Sequence, residues 1–297
     1  MIQDNPPISR TPIFWSLFIK SLGYYRATFK NLMILTVVSY LPFFVIGRFT
    51  RSDLSDPMEL LHGFLLDVLV CLALPTILSQ SKVYPLETLK IFQDYFAQIV
   101  VIILGQMFFI FFLMLLFSSF GVMFLFFSLL PFVFVLFAGQ FALVNGKPKI
   151  MELSENLVAS FSLVKENFRL VLFSYLNISS LMIVPILVFS LYYVGSHPLA
   201  NQMAAASESK EMAQVPMVEF MGQIKTIVGE EGYQNGRLVV HLLVRPIKSL
   251  FMALLFAQLL MIIAPEKFSR FFQISGADDE DGDEEDPTLK QELNHEE

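Results

Sequence analysis

The chain is predicted to fold as an all-α, polytopic membrane bundle of six transmembrane helices, with interfacial amphipathic helices ahead of spans one, three and five. Composition is the first ground. Of 297 residues, 55% are hydrophobic and only 16% charged, with mean hydropathy +0.61, whereas soluble domains run roughly 45–50% apolar and about 25% charged. Six stretches long enough for a span of about 20 apolar residues are the second. The third is a lopsided distribution of Lys and Arg between alternate connections. The 32 Phe suit lipid-facing helix surfaces and carry no cofactor meaning.

The spans are expected at 31–49, 60–79, 99–120, 122–144, 170–194 and 238–264. Residues 1–30 place Trp15, Tyr24 and Tyr25 among charges and lack an apolar core followed by a small-residue cleavage site. Span one is therefore expected to act as an uncleaved anchor, behind an N-terminal cytoplasmic or interfacial segment. Spans three and four are joined almost without a loop at 118–121, which requires a tight, uncharged hairpin. The last span is the least apolar, because His241, Arg245, Pro246 and Lys248 fall in its first part.

Orientation follows from the basic flanks. With the N-terminus inside, thirteen of the 20 Lys and Arg lie on the cytoplasmic side, Lys82, Lys147, Lys149, Lys165 and Lys267 among them. Arg48, Arg51, Lys210, Lys225, Arg237, Arg245 and Lys248 fall opposite. Cytoplasmic flanks are enriched in Lys and Arg, most reliably in short loops. Both termini are therefore expected in the cytoplasm.

Before span one, Phe14, Phe18, Leu22, Tyr25 and Phe29 recur at helical spacing with Lys20, Arg26 and Lys30 on other faces. Leu86, Leu89, Phe92 and Phe96 repeat the pattern before span three, and Ile150, Leu153, Leu157, Phe161, Val164 and Phe168 before span five. With Asn31, Gln98 and Asn167 taken as equivalent, the pattern reads as three parallel units of interfacial helix, span, span. The competing reading is that any cytoplasmic connection between apolar spans becomes amphipathic and ends in lysine. A mitochondrial-carrier pattern is excluded, since Pro42 is followed by Phe43, Phe44 and Val45 and no acidic partner.

The outer loop, 195–237, is too long for a plain connection. It should hold a short amphipathic helix from Pro216, with Val218, Met221, Ile224 and Ile227 on one side and Gly229 at its end. The tail, 276–297, contains DDEDGDEED at 278–286 and supplies most of the net charge of -7. It reads as a solvated, disordered cytoplasmic tail that disfavours nucleic acid and lacks calcium-loop spacing. The membrane domain is thus 31–275.

Residues 24–35 (YYRATFKNLMIL) and 141–176 (FALVNGKPKIMELSENLVASFSLVKENFRLVLFSYL) show a span leaving to a small polar turn, then an amphipathic helix and an Asn-containing return. In these segments, and across about 14–264, the chain resembles the YciC-type family of bacterial inner-membrane proteins. It is more loosely similar to the membrane domains found beside some glycerophosphodiester phosphodiesterases. The resemblance implies a bacterial inner-membrane location and no particular chemistry.

Ionisable groups inside spans are costly, by about 2.5–3.5 kcal/mol at a helix centre, so each calls for a partner or an aqueous face. Asp67 is the only acid well inside a span. It is expected to pair with Arg245 or Lys248 across a contact between spans two and six, with His241 above them. The cluster Asp67, His241, Arg245 and Lys248 is either a closed structural network or a polar cavity for an anionic ligand or lipid headgroup. Gln106, Gln140, Asn177 and Gln258 read as helix-packing amides. The single cysteine, Cys71, permits no intramolecular disulfide. No nucleophile with its base, zinc helix, P-loop or dinucleotide fingerprint is present, and His62, His197, His241 and His295 lack metal-ligand spacing. No enzymatic activity, cofactor or metal is expected. The expected partners are the bilayer and anionic lipids, in a structural or envelope-maintenance role. The competing class is a small transporter or lipid-handling permease.

Overall fold

The computed structural model describes residues 10–50, 55–118, 133–134, 136–144, 153–198 and 217–273, and among them all regular structure is α-helical. The helices are α1 (Arg10–Thr50), α2 (Ser55–Gln80), α3 (Pro85–Ser118), α4 (Ala138–Val144), α5 (Leu153–Glu166), α6 (Phe168–Ser196), α7 (Met217–Gly229), α8 (Glu231–Ile263) and α9 (Pro265–Gln273). Five stretches are long and apolar enough to cross a membrane: Ile13–Val45, Leu61–Gln80, Pro85–Phe108, Phe168–Ser196 and Glu231–Ile263. They cover spans one, two, three, five and six of the expected set. The fourth, 122–144, falls outside the described residues except for 133–134 and 136–144. The tail from 274 also lies outside them.

α8 is the hub of the bundle, packed against α1, α2 and α6 along its length and against α9 at its end. Its second half, from Pro246 to Leu260, is almost wholly buried and meets Leu66, Leu69, Leu74 and Ile77 of α2 in the core. Phe256 packs against the rings of both Phe137 and Phe141, with centroids 5.4 and 5.2 Å away.

Helix directions follow from residue pairs. On α1 and α8, Phe14 meets Phe251 while Tyr25 reaches Leu243, which makes these two antiparallel. Asp67 of α2 bonds Ser249, and Gly63 lies under Arg245, so α2 runs with α8. α3 packs back on α2 after a four-residue link, 81–84, and α6 returns to the start of α8 through His197 and Glu230, 3.0 Å apart. Thus α1, α3 and α6 run one way, and α2 and α8 the other.

Two expected junctions are absent. α1 and α3 continue without a helical break through Asn31 and Gln98, so the segments ahead of spans one and three are extensions of the spans. Only the third unit breaks, at Asn167, between α5 and α6. The three units therefore differ in build among the described residues.

The large apolar residues of the three amphipathic stripes are divided between the interior and the surface. Along α1 the buried stripe is Phe14, Leu17, Ser21, Thr28, Leu32, Leu35, Thr36 and Ser39, whereas Leu22 and Phe29 lie on the surface. On α3, Leu86 is 84% exposed while Thr88 is buried, and on α5, Phe161 is exposed while Asn156 and Ser160 are buried. The physical reason is the solvent. Lipid is as apolar as Leu, so small and hydroxyl residues take the helix contacts and large apolar ones face out. The hydroxyls cost nothing there because they return to their own helix: Ser21 donates to the Phe18 carbonyl at 2.7 Å, Thr28 to Tyr24 at 2.7 Å and Thr36 to Leu32 at 2.8 Å.

The outer-loop helix is present as α7, ending at Gly229 with Ile227 buried. α8 begins at Glu231, seven residues before the expected start of span six. α9 was not foreseen. It follows Ala264 and packs on α4 and α8.

Candidate functional site

The four intramembrane residues singled out by sequence all fall where α2, α8 and α6 meet. α8 makes the site by periodicity: His241, Arg245 and Ser249 stand four residues apart on one stripe, with Lys248 one position round. Pro246 lies between them and has no N–H to give to the Leu242 carbonyl. In the same loosened turn the Tyr25 hydroxyl of α1 donates to the Leu243 carbonyl at 2.7 Å, so a neighbouring helix takes up backbone polarity there.

The expected ion pair is not formed. Asp67, half-buried, accepts a 2.5 Å hydrogen bond at Oδ1 from the Ser249 hydroxyl. Among the described residues neither Arg245 nor Lys248 reaches a carboxylate. The Arg245 guanidinium instead runs across to α2 and occupies the space over Gly63 where any Cβ would stand. Its Nη1 lies 3.2 Å from His241 Nε2, and its Nε is buried without a hydrogen-bond partner. Lys248 turns the other way, its Nζ 4.7 Å from the centroid of the Tyr175 ring on α6, within cation–π range.

Beside Arg245, His62 is fully buried between α1 and α2. Its Nε2 is 3.3 Å from the Thr36 carbonyl and 3.1 Å from the Ser39 hydroxyl, and Tyr40 stacks edge-on at 5.1 Å. The Ser39 hydroxyl also donates to the Thr36 carbonyl at 2.9 Å, and His62 Nδ1 is buried without a hydrogen-bond partner. His62, Arg237, Arg245 and Lys248 all act electrostatically on His241. The layer is therefore rich in basic side chains, with the one nearby carboxylate already bound by a hydroxyl.

Above this layer α6 and α8 are clasped. Gly232 and Gly236 admit the Tyr193 hydroxyl and the Phe189 ring into space that a Cβ would fill. Ser190 and Tyr233 share a 2.8 Å hydrogen bond, and Glu230 takes both His197 and Tyr193. Below the clasp a cavity of about 250 Å³ opens between α6 and α8, lined by His241, Arg245 and Lys248. A second, of about 430 Å³, lies near the start of α1 with Lys20, Tyr24 and Gln258 in its wall.

The other amides divide. Gln106 and Gln140 are buried, whereas Asn177 donates to the Phe173 carbonyl of its own helix at 2.7 Å and bridges nothing through that bond. Cys71 is a buried free thiol. Among the described residues no three His, Cys, Asp or Glu side chains come together to hold a metal ion. Gly63, Ser249, Tyr175 and the Gly232/Gly236 pair were missed from sequence. The glycine pair carried a legible signal, a small-xxx-small spacing in a spanning helix. Gly63 and Tyr175 carried none. No protein-family model, curated protein or solved structure matches the chain.

Proposed function

We propose that the chain is a non-enzymatic, multi-pass protein of the bacterial inner membrane, with both termini cytoplasmic and a structural role in envelope maintenance. One observation carries the structural reading: the costly groups inside the spans end on neighbouring helices. Asp67 of α2 ends on Ser249 of α8, Arg245 of α8 on Gly63 of α2, and Lys248 of α8 on Tyr175 of α6. Polar groups so placed specify which helices meet and in what register.

Six spans are supported by direction. α3 and α6 run the same way, so the chain between them has to return across the bundle, and 122–144 is long enough to do so at 1.5 Å per residue. The resemblance of 24–35 and 141–176 to the YciC-type family supports the inner-membrane location. The exposed apolar residues Val158 and Phe161 of α5 suit contact with lipid at the membrane surface, as an interfacial segment requires.

The test is complementation. Cells lacking the protein are expected to gain sensitivity to detergents or large antibiotics, restored by the wild-type chain and not by Ser249→Ala or Gly63→Leu, which disturb the α2–α8 contact. Full restoration by both variants, present at wild-type levels, would remove the structural reading.

A further inference from the structure

We infer that the cavity between α6 and α8 binds the phosphate headgroup of an anionic phospholipid, with Arg245 and Lys248 as its cationic wall and the His241 ring beside them. This goes beyond the structural role and does not depend on it.

Charge makes the first part of the case. Three basic side chains on successive turns of α8 line the cavity of about 250 Å³, and no acidic residue lines it. Asp67, the acid at this level of the bundle among the described residues, is engaged by Ser249 on the α2 side of α8. A lone positive charge in a membrane span is disfavoured without an anion or water. Here two permanent cations, Arg245 and Lys248, lie close together and meet no carboxylate among the described residues.

Unused hydrogen-bonding capacity is the second part. Ser179 of α6 lines the cavity, and its buried hydroxyl has no partner; the buried Arg245 Nε has none either. A phosphate diester offers two anionic oxygens, acceptors only, which match an unpaired hydroxyl, a guanidinium N–H and an ammonium. The Tyr175 ring holds the Lys248 ammonium at the cavity wall.

The third part selects lipid over a soluble phosphate. Ile183, also in the lining, is 50% exposed, and the surface continues along α6 through the exposed Val184, Leu187 and Val188. Across its spanning window only 17% of α6 is buried. The cavity thus opens onto an apolar track that suits acyl chains, not onto a polar mouth. The three basic positions span seven residues of helix, about 10 Å along the axis.

The experiment is native mass spectrometry of the full chain in detergent, titrated with phosphatidylglycerol, with zwitterionic phosphatidylethanolamine, and with glycerol phosphate. Phosphatidylglycerol should be retained about tenfold better than phosphatidylethanolamine by the wild type, one charge-assisted contact being enough for such a ratio. Lys248→Gln should bring the two lipids to near parity, and Lys248→Arg should keep the preference. Equal retention of both lipids by the wild type overturns the site, as does a preference unchanged in both Lys248→Gln and Arg245→Gln. Glycerol phosphate displacing phosphatidylglycerol at equal concentration overturns the choice of lipid and leaves a soluble-anion site in its place. The wild-type comparisons decide the matter even where a variant does not fold.

Discussion

At the scale of single residues, the interior of this bundle is organised by hydroxyls and absent side chains more than by opposed charges. Ser249 illustrates it. Its hydroxyl is the hydrogen-bond partner that Asp67 has in place of a cation. Ser249→Ala is expected to cost about 1–2 kcal/mol, the upper range for interhelical polar contacts in membranes. Asp67→Ala should cost a similar amount and the double variant little more than either, read from thermal unfolding in one detergent. Simple additivity would show that the two side chains do not act as a pair. Gly63 makes the complementary case: Gly63→Ala puts a methyl where the Arg245 guanidinium lies, and should destabilise wild type by about 1–3 kcal/mol but an Arg245→Ala background much less. Rarity of charge in spans singled these residues out, but the partner expected for Asp67, Arg245 or Lys248, is not the one it has. Opposite charges invite pairing on paper, while a serine four residues beyond an arginine and a glycine beside a histidine carry no mark of what they touch.

At the scale of elements, span positions were legible because about 20 apolar residues are hard to mistake, and α2, α6 and the second half of α8 lie where hydropathy puts them. The faces were not. The helical spacing of Phe14, Phe18, Leu22 and Phe29 marks a helix without showing which of them face its neighbours. In lipid the distinction between apolar and polar no longer sorts inside from outside, and Ser21, Thr28 and Ser39 lie within while Leu22 and Phe29 lie without. Close approach is the better guide, and the α6–α8 clasp shows it. Gly236→Leu is expected to collide with Phe189, part the two helices and cost about 1–3 kcal/mol. Gly23→Ala on α1, where no atom lies within 4 Å of the new methyl, should instead be neutral or stabilise by about 0.5–1 kcal/mol. Thermal stability of the two variants side by side separates a packing effect from a general intolerance of glycine replacement.

At the scale of the whole molecule, the directions of five helices constrain the course of the chain between them. α1 and α8 are antiparallel, so the start of α1 and the end of α8 share a side, and α9 follows on that same side. α7, tied to α8 and α6 beside the His197–Glu230 pair, belongs to the opposite side. In the orientation proposed, with both termini cytoplasmic, the first of these sides, flanked by Lys20, Lys82, Lys165 and Lys267, faces the cytoplasm. Accessibility labelling tests both steps at once, and the protein is already suited to it, because the only cysteine, Cys71, is wholly buried and out of reach of an impermeant maleimide. Lys225→Cys, exposed on α7, should react when the reagent is applied to the outer face of intact spheroplasts. Lys20→Cys and Glu266→Cys, both exposed, should react only after the membrane is opened. The converse pattern would keep the bundle and invert it, showing that the flanking lysines misreport orientation. Reaction of Lys20→Cys and Glu266→Cys from different faces would contradict the antiparallel placement of α1 and α8 itself, since no even number of crossings then joins them.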